Sequence, residues 1–333
     1  MIIDEPMVDI LMATYNGERY LAEQIESIKS QTYSNWRLLI SDDCSTDETL
    51  RVVEGYSAED ERIKVASKNI RYGGAKENFF ALLKFSNSPY IMFCDQDDVW
   101  SPTKIEKSLD AMQLLEREFG EGLPLLAFCD MKVVDSRLNV ICESFEAFRN
   151  FDTERLSLQQ LVAQNVAAGC CMMINRSAAM TCAPKCKRGH IEMHDWWLML
   201  IVSAFGHIKY IDEPLSLYRQ HGANEVGAAR YSPLKTASDI DFVEEQFLIV
   251  IDQALAFLDV YGDMLSGKDR ESLQRFTAIR STTNPIRSVA LLIKSGCLKK
   301  GVRASGQVVA SLRIALHEHR RRSEESDIKS YGV

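Results

Sequence analysis

PYIMFCDQDDVW, residues 89–100, is the stretch on which the fold turns. Six consecutive apolar or weakly polar residues, Pro89 to Cys94, read as a strand buried on both faces, as in a parallel sheet. The strand runs without a spacer into Asp95-Gln96-Asp97-Asp98, and Ser101-Pro102 then has the form of a helix start, a cap followed by a proline in the first turn. Three carboxylates within four residues repel one another unless a cation or strong donors offset them. Hard divalent ions take oxygen ligands and bridge to phosphates, so this strand end is a candidate Mg²⁺ or Mn²⁺ diphosphate site.

Outward from this strand the pattern repeats. Val8 to Ala13, Trp36 to Ile40 and Ile63 to Ala66 are short apolar runs. Between them, Gly17 to Ser30 sets Leu21, Ile25 and Ile28 on one helical face, and Ser45 to Glu48 has capping-box spacing. Repeated βα units predict a mostly parallel, doubly wound α/β sheet, with ligands collecting at the carboxyl ends of its strands. Those ends are polar in three places: Thr14-Tyr15-Asn16-Gly17-Glu18, Ser41-Asp42-Asp43, and Asp95 to Asp98. Farther along, Leu125 to Cys129, Val133 to Val140, Ala168 to Ile174, Ile208 to Ile211 and Leu215 to Tyr218 read as strands. His194 to Phe205 reads as an aromatic-rich helix, and from about Ser238 only helical periodicity remains, marked by Phe242, Phe247, Ile251, Leu255 and Phe257. The pattern change near residue 230 divides the chain into a catalytic domain, 1–230 (a nucleotide-binding half to about 100 and an acceptor half beyond it), and a helical region, 231–333.

Composition narrows the class. A net charge of −8 over 333 residues argues against a nucleic-acid partner. Residues 285–322 nevertheless hold nine Lys/Arg against Glu318 alone, a net +8 that leaves the remainder at −16. Apolar residues are interleaved there, so this tail is a candidate for contact with an anionic membrane surface. No apolar run reaches the roughly 18–20 residues of a membrane span, and the N-terminus lacks the pattern of a signal peptide. The expectation is a cytoplasmic protein, peripheral at the inner face of the cytoplasmic membrane if the tail binds lipid, with its nine cysteines mostly buried thiols.

Two other constellations fail. Cys182, Cys186, His190 and His194 recur every four residues, but along a helix they would spread over about 18 Å, too far for one zinc ion; Lys185, Lys187 and Arg188 suggest a basic loop instead. Gly73-Gly74 with Lys76 imitates a phosphate cradle without the spacing of an ATP or NAD site.

Taken as a set, ATYNGE (13–18), SDDCSTD (41–47), DQDDVW (95–100), NVAAGCCMMINR (165–176), HDWW (194–197) and YRQHG (218–222) resemble the successive motifs of the family-two inverting glycosyltransferases, and in combination their rhamnosyltransferase-like branch. The resemblance implies a GT-A type nucleotide-diphospho-sugar transferase fold. It places Thr14, Tyr15, Asn16 and Glu18 around the base and ribose, with Asp43 or Asp42 accepting from the base imide. Asp97 becomes the main metal ligand, Asp95 sits near the ribose or the metal, His221 completes the metal or diphosphate site, Gln96 falls among the substrate-binding residues, and Asp98 supports the sugar or the loop. Asp195 corresponds to the catalytic base, beside His194, Trp196 and Trp197, and Arg219 assists at the diphosphate. From residues alone, an aspartate in the first turn of a helix is a cap, which the amide donors and helix dipole keep ionised. The implied donor is dTDP-L-rhamnose or, alternatively, a UDP-hexose or UDP-N-acetylhexosamine, and the implied acceptor a cell-surface or lipid-linked glycan. A nucleotidyltransferase would share the sheet and the metal but carry a glycine- and base-rich loop after the first strand, which Thr14 to Glu18 is not. One position departs from the family pattern: Cys44 stands where glycine is usual.

Overall fold

The computed structural model describes residues 5–182, 190–222 and 239–331. Cys186 and the basic stretch Lys185, Lys187 and Arg188 lie outside them. Two compact units result: Met1–Thr153 with Val166–Ala183 and Met193–Arg230, and Glu154–Asn165 with Pro184–Glu192 and Tyr231–Val333. Residues 154–165 thus group with the C-terminal helices, although they interrupt the catalytic half in sequence.

The first unit is built on one mixed sheet. Strands β1 (Val8–Thr14), β2 (Trp36–Asp42), β3 (Ile63–Ser67) and β4 (Tyr90–Cys94) pair in parallel in the order β3-β2-β1-β4. The order continues through β8 (Met172–Asn175), β6 (Leu125–Val134) and β9 (His207–Arg219) to the short β5 (Val99–Trp100), while β7 (Val140–Cys142) pairs with β6. Of these, β8 is antiparallel to β4 and β6, and β6 and β9 are parallel. All five residues of β4 are buried, as its lack of alternation predicts for a central strand.

Helices cover the sheet. Leu21, Ile25 and Ile28 of α1 (Leu21–Lys29) pack beneath β1 and β2, in one cluster with Val8, Ile10, Leu38 and Ile40. Each such side chain removed from water is worth about 1.5–3 kcal/mol. Between the parallel strands lie α2 (Thr49–Glu59) and α3 (Ala75–Leu82); α4 (Lys104–Phe119) follows β5, and the short α5 (Phe145–Arg149) follows β7. The capping box expected at Ser45–Glu48 is not used. Ser45 turns back to Asp42 and Asp47 accepts from the Thr49 amide at 3.0 Å, so α2 begins at Thr49. In the second half, the predicted strands over Ile208–Ile211 and Leu215–Tyr218 are one strand, β9, with register shifts opposite Asp130 that absorb Pro214. The run Val133 to Val140 is broken by a turn in which Asp135 accepts from the Asn139 amide at 2.9 Å.

Helices make up the second unit: α6 (Leu158–Ala163) and, after α7 (Arg176–Thr181) and α8 (His194–Phe205) of the first unit, α9 (Ile240–Tyr261), α10 (Gly267–Thr277), α11 (Pro285–Ser295) and α12 (Val302–Tyr331). Phe247, Ile251 and Phe257 are buried there, while Phe242 and Leu255 face outward, because the apolar stripe of α9 is narrower than its periodicity suggests. Among the described residues no helix is long and apolar enough to cross a membrane.

Candidate active site

The loops after β1 and β2 knit to each other. Thr14 Oγ1 donates to Asp42 Oδ1 at 3.0 Å, and the Ser45 amide to Asp42 Oδ2 at 2.9 Å. Asn16 Oδ1 accepts from the Thr46 amide at 2.8 Å, and Glu18 Oε2 from the Glu48 amide at 2.8 Å. Asn16, Glu18 and Asp42, expected at a nucleotide, thus spend these side-chain oxygens holding loop backbone, and Thr14 holds the Asp42 carboxylate in place. Asp43 likewise accepts from the amides of Tyr72, Gly73 (3.0 Å) and Gly74 (3.0 Å). The glycine pair that imitates a phosphate cradle therefore holds and orients this carboxylate. Gln96 bonds both backbone groups of Tyr15 at 2.9 Å. It sits so close that a Cβ at Gly17 would lie 2.2 Å from Gln96 Oε1. Tyr15 itself is 48% exposed, the one member of the group with a ring open to a ligand. Cys44 takes φ 60°, a left-handed conformation that explains why glycine suits this turn.

Beyond β4 the carboxylates divide. Asp97 Oδ2 lies 2.7 Å from His221 Nε2. Asp98 is fully buried; its Oδ1 accepts from the Arg219 amide at 3.0 Å, and its Oδ2 is buried without a hydrogen-bond partner. An Asp95 oxygen lies within 4.8 Å of the Cys170 sulfur, and the Asp95 carboxyl feels the charge of Asp97. Burial first, then the Asp97 charge, pushes Asp95 up to about 7 and Asp98 well above the usual carboxylate range. Asp98 faces inward and supports the loop, one of the two roles expected of it. Arg219, also buried, donates from Nε to the Asp97 carbonyl at 2.7 Å and from Nη1 to the Ser136 carbonyl at 3.2 Å, pairs with Glu23, and lies 4.5 Å over the Tyr20 ring. Its guanidinium is a clamp on the acidic loop.

A residue that the sequence reading missed is Lys104, in the first turn of α4. It is fully buried, with Nζ 2.6 Å from the Cys170 carbonyl and 3.2 Å from Ser216 Oγ, and its charge lowers the pKa of both Asp95 and Asp98. Even so, Asp95 and Asp98 stay high, so negative charge remains under-compensated. Ligand atoms of Asp95, Asp98 and Cys170 lie within 4.8 Å of one another. Burial holds the Cys170 thiol protonated and Asp98 is turned inward, so within this cluster Asp95 supplies the oxygen donor suited to a hard divalent cation.

Asp195 enters from the N-terminus of α8. Its Oδ2 accepts from the Gly169 amide at 2.9 Å and its Oδ1 from the Trp196 amide. The helix start was expected to keep it ionised. Instead burial outweighs these amide bonds and pushes it up to about 7, the range that suits a general base near neutral pH. His194 is corrected to a core residue: it lies between Phe79 (4.2 Å between ring centroids) and Phe93 (5.0 Å), both ring nitrogens are buried without a hydrogen-bond partner, and burial lowers it to about 3. Trp197 is corrected in the same way, being fully buried, whereas Trp196 is half-buried. A Cβ at Gly169 would lie 2.6 Å from His194 Nε2, so only glycine lets this turn approach α8 and hand its amide to Asp195.

Residues 9–181 match the family model described as Glycosyl transferase family 2. The chain belongs to that family. Among relatives of this glycosyltransferase, the dTDP-rhamnosyl transferase RfbG of Shigella flexneri is 32% identical over 229 residues, 65% of this chain and 74% of that one. The UDP-Glc:alpha-D-GlcNAc-diphosphoundecaprenol beta-1,3-glucosyltransferase WfgD of Escherichia coli is 37% identical over 110 residues, 33% of this chain and 42% of that one, less than half its length. In fold the transferase is similar to S. aureus TarS 1–349 in complex with UDP (TM-score 0.52, 14% identity, 95% and 92% of the two chains). It is also similar to the mannosyltransferase PcManGT from Pyrobaculum calidifontis in complex with GDP-Man and Mn²⁺ (TM-score 0.51, 13% identity, 95% and 88%). The fold is GT-A.

Proposed function

We propose that this glycosyltransferase moves L-rhamnose from dTDP-L-rhamnose to a hydroxyl of a lipid-linked or cell-surface glycan, with inversion at the anomeric carbon. The observation that carries the reading is the placement of Asp195: its carboxyl takes the Gly169 amide, one residue before Cys170, whose sulfur lies within 4.8 Å of an Asp95 oxygen. A carboxyl raised to about 7 lies within electrostatic reach of the acidic end of β4, where Asp97 and His221 also lie. Asp195 accepts the acceptor proton as that oxygen attacks the face opposite the diphosphate. The Gly169 amide holds the carboxylate in orientation, and Tyr15, with the loop that Gln96 fastens to it, borders the nucleotide. Asp97, Asp95 and His221 would hold Mg²⁺ or Mn²⁺, which supplies positive charge at the departing diphosphate.

Support for the donor is the relationship to the Shigella rhamnosyl transferase; the E. coli glucosyltransferase supports a UDP-hexose as the second reading. A panel of dTDP-L-rhamnose, UDP-glucose, UDP-N-acetylglucosamine and GDP-mannose, scored with Mn²⁺ by release of the nucleoside diphosphate, separates them. Fastest release from dTDP-L-rhamnose is expected. Faster release from UDP-glucose would replace the donor, and release from none would end the transfer reading.

For the cation, Asp97→Ala should weaken nucleotide-diphosphate binding in Mn²⁺ by about 10–100-fold, to the level of metal-free protein. Calorimetry with and without Mn²⁺ checks this. If Mn²⁺ tightened binding equally in the variant, Asp97 would not be a ligand.

A further inference from the structure

The charged tail was expected as a unit to face lipid, but the structure divides it. On α12, Arg313 pairs with Glu244 (2.6 Å) and Asp241, and Arg321 and Arg322 both pair with Glu318 at 2.8 Å. Those arginines are occupied within their own helical unit. Helix α11 is built the other way round. Its buried residues are Ser288, Leu292 and Ser295, two serines of three, with Ser288 Oγ donating to the Ser311 carbonyl at 2.8 Å. Its outward face carries Ile286, 82% exposed, and Ile293, 58% exposed, with half-buried Val289 and Ala290 between them. The spacing 286, 289, 290, 293 makes one continuous apolar stripe. Exposed Arg287 and Lys294 flank it, and neither has an ion-pair partner among the described residues. No Asp or Glu occurs from Asn284 to His317.

We propose that this face of α11 rests on an anionic lipid surface. A helix turning isoleucines out and serines in needs an apolar medium on its open side, and the flanking cations select one with negative headgroups. Self-association fits less well, because a two-fold contact through this stripe would bring Arg287 and Lys294 against their own copies. The inference is independent of the donor sugar.

Flotation of the full chain with vesicles tests it, using phosphatidylcholine alone and phosphatidylcholine mixed with phosphatidylglycerol. Binding is expected only with phosphatidylglycerol present. The double variants Ile286→Glu with Ile293→Glu, and Arg287→Glu with Lys294→Glu, should each lower partitioning about tenfold or more, since one cation near such a surface is worth roughly fivefold. All four side chains are exposed, so the circular dichroism and nucleotide-diphosphate binding of the variants should match the parent. Equal partitioning of parent and variants, equal binding to neutral vesicles, or a dimer lost in the isoleucine variant with no vesicle binding would each overturn the proposal.

Discussion

Asp195→Asn is expected to slow turnover by about 10²–10⁴-fold while nucleotide-diphosphate binding stays close to that of the parent. Asparagine keeps the shape and its one carbonyl oxygen can still accept the Gly169 amide bond, but it gives up the bond from the Trp196 amide and cannot take the acceptor proton. The parent should show kcat/KM rising with pH along a unit slope and levelling off near about 7, where burial places Asp195. The variant should lose that slope. Stability should move the opposite way. The folded-state value of Asp195 lies above its ordinary 3.8, so the protonated form is favoured on folding. The resulting stabilisation is complete below 3.8 and is lost as pH rises to about 7. At about pH 8 the parent bears the full cost of a buried charge, and the asparagine variant should be more stable, by an amount on the order of a few kcal/mol. Single-turnover rates, nucleotide calorimetry and urea unfolding across the pH range read the three effects. A variant that turned over at the parental rate would remove Asp195 from the role of base.

The contrast between what the sequence disclosed and what it hid has a physical origin. Periodicity reports burial, so Tyr90 to Cys94 and the helical face of Leu21, Ile25 and Ile28 were legible directly. The acidic end of β4 was legible because adjacent carboxylates need an explanation wherever they occur. Side-chain direction is another matter. Asp98 and Asp97 are neighbours in sequence, yet one is sealed under the Arg219 amide and the other meets His221. Nothing local distinguishes them. His194 and Trp197 share a motif with Asp195, but helical geometry sends them into the core and leaves the carboxyl at the turn that Gly169 supplies. The surroundings of Asp43 were hidden for a related reason. Its partners are the amides of Tyr72 to Gly74, on a loop some thirty residues away whose approach only the tertiary fold fixes. Lys104 was the hardest to see, since a lysine in the first turn of a helix after Ser101-Pro102 looks like any solvated one.

That lysine should be among the most costly residues to replace. Lys104→Met keeps the length of the stem and its packing on Trp100, over which Nζ lies at 4.2 Å, but removes a buried cation that offsets both Asp95 and Asp98. It also frees the Cys170 carbonyl, adjacent to the Gly169 amide that orients Asp195. Removing one member of a buried charge set typically costs about 3–5 kcal/mol, because the remaining charges lose their compensation without regaining water. Metal-free protein at about pH 8 should show that loss in urea unfolding. The penalty has a direction with pH. Asp95, already raised to about 7, takes up a proton as pH falls, and once it is neutral there is less charge for Lys104 to offset. The deficit of the variant should therefore shrink toward about pH 5. A deficit below about 1 kcal/mol at both pH values would mean that the lysine is packed there without serving the carboxylates. A large deficit that ignored pH would assign its contribution to the Cys170 and Ser216 hydrogen bonds alone. The pH-dependent result ties the stability of the fold to the same under-compensated charge that makes the end of β4 a place for a divalent cation.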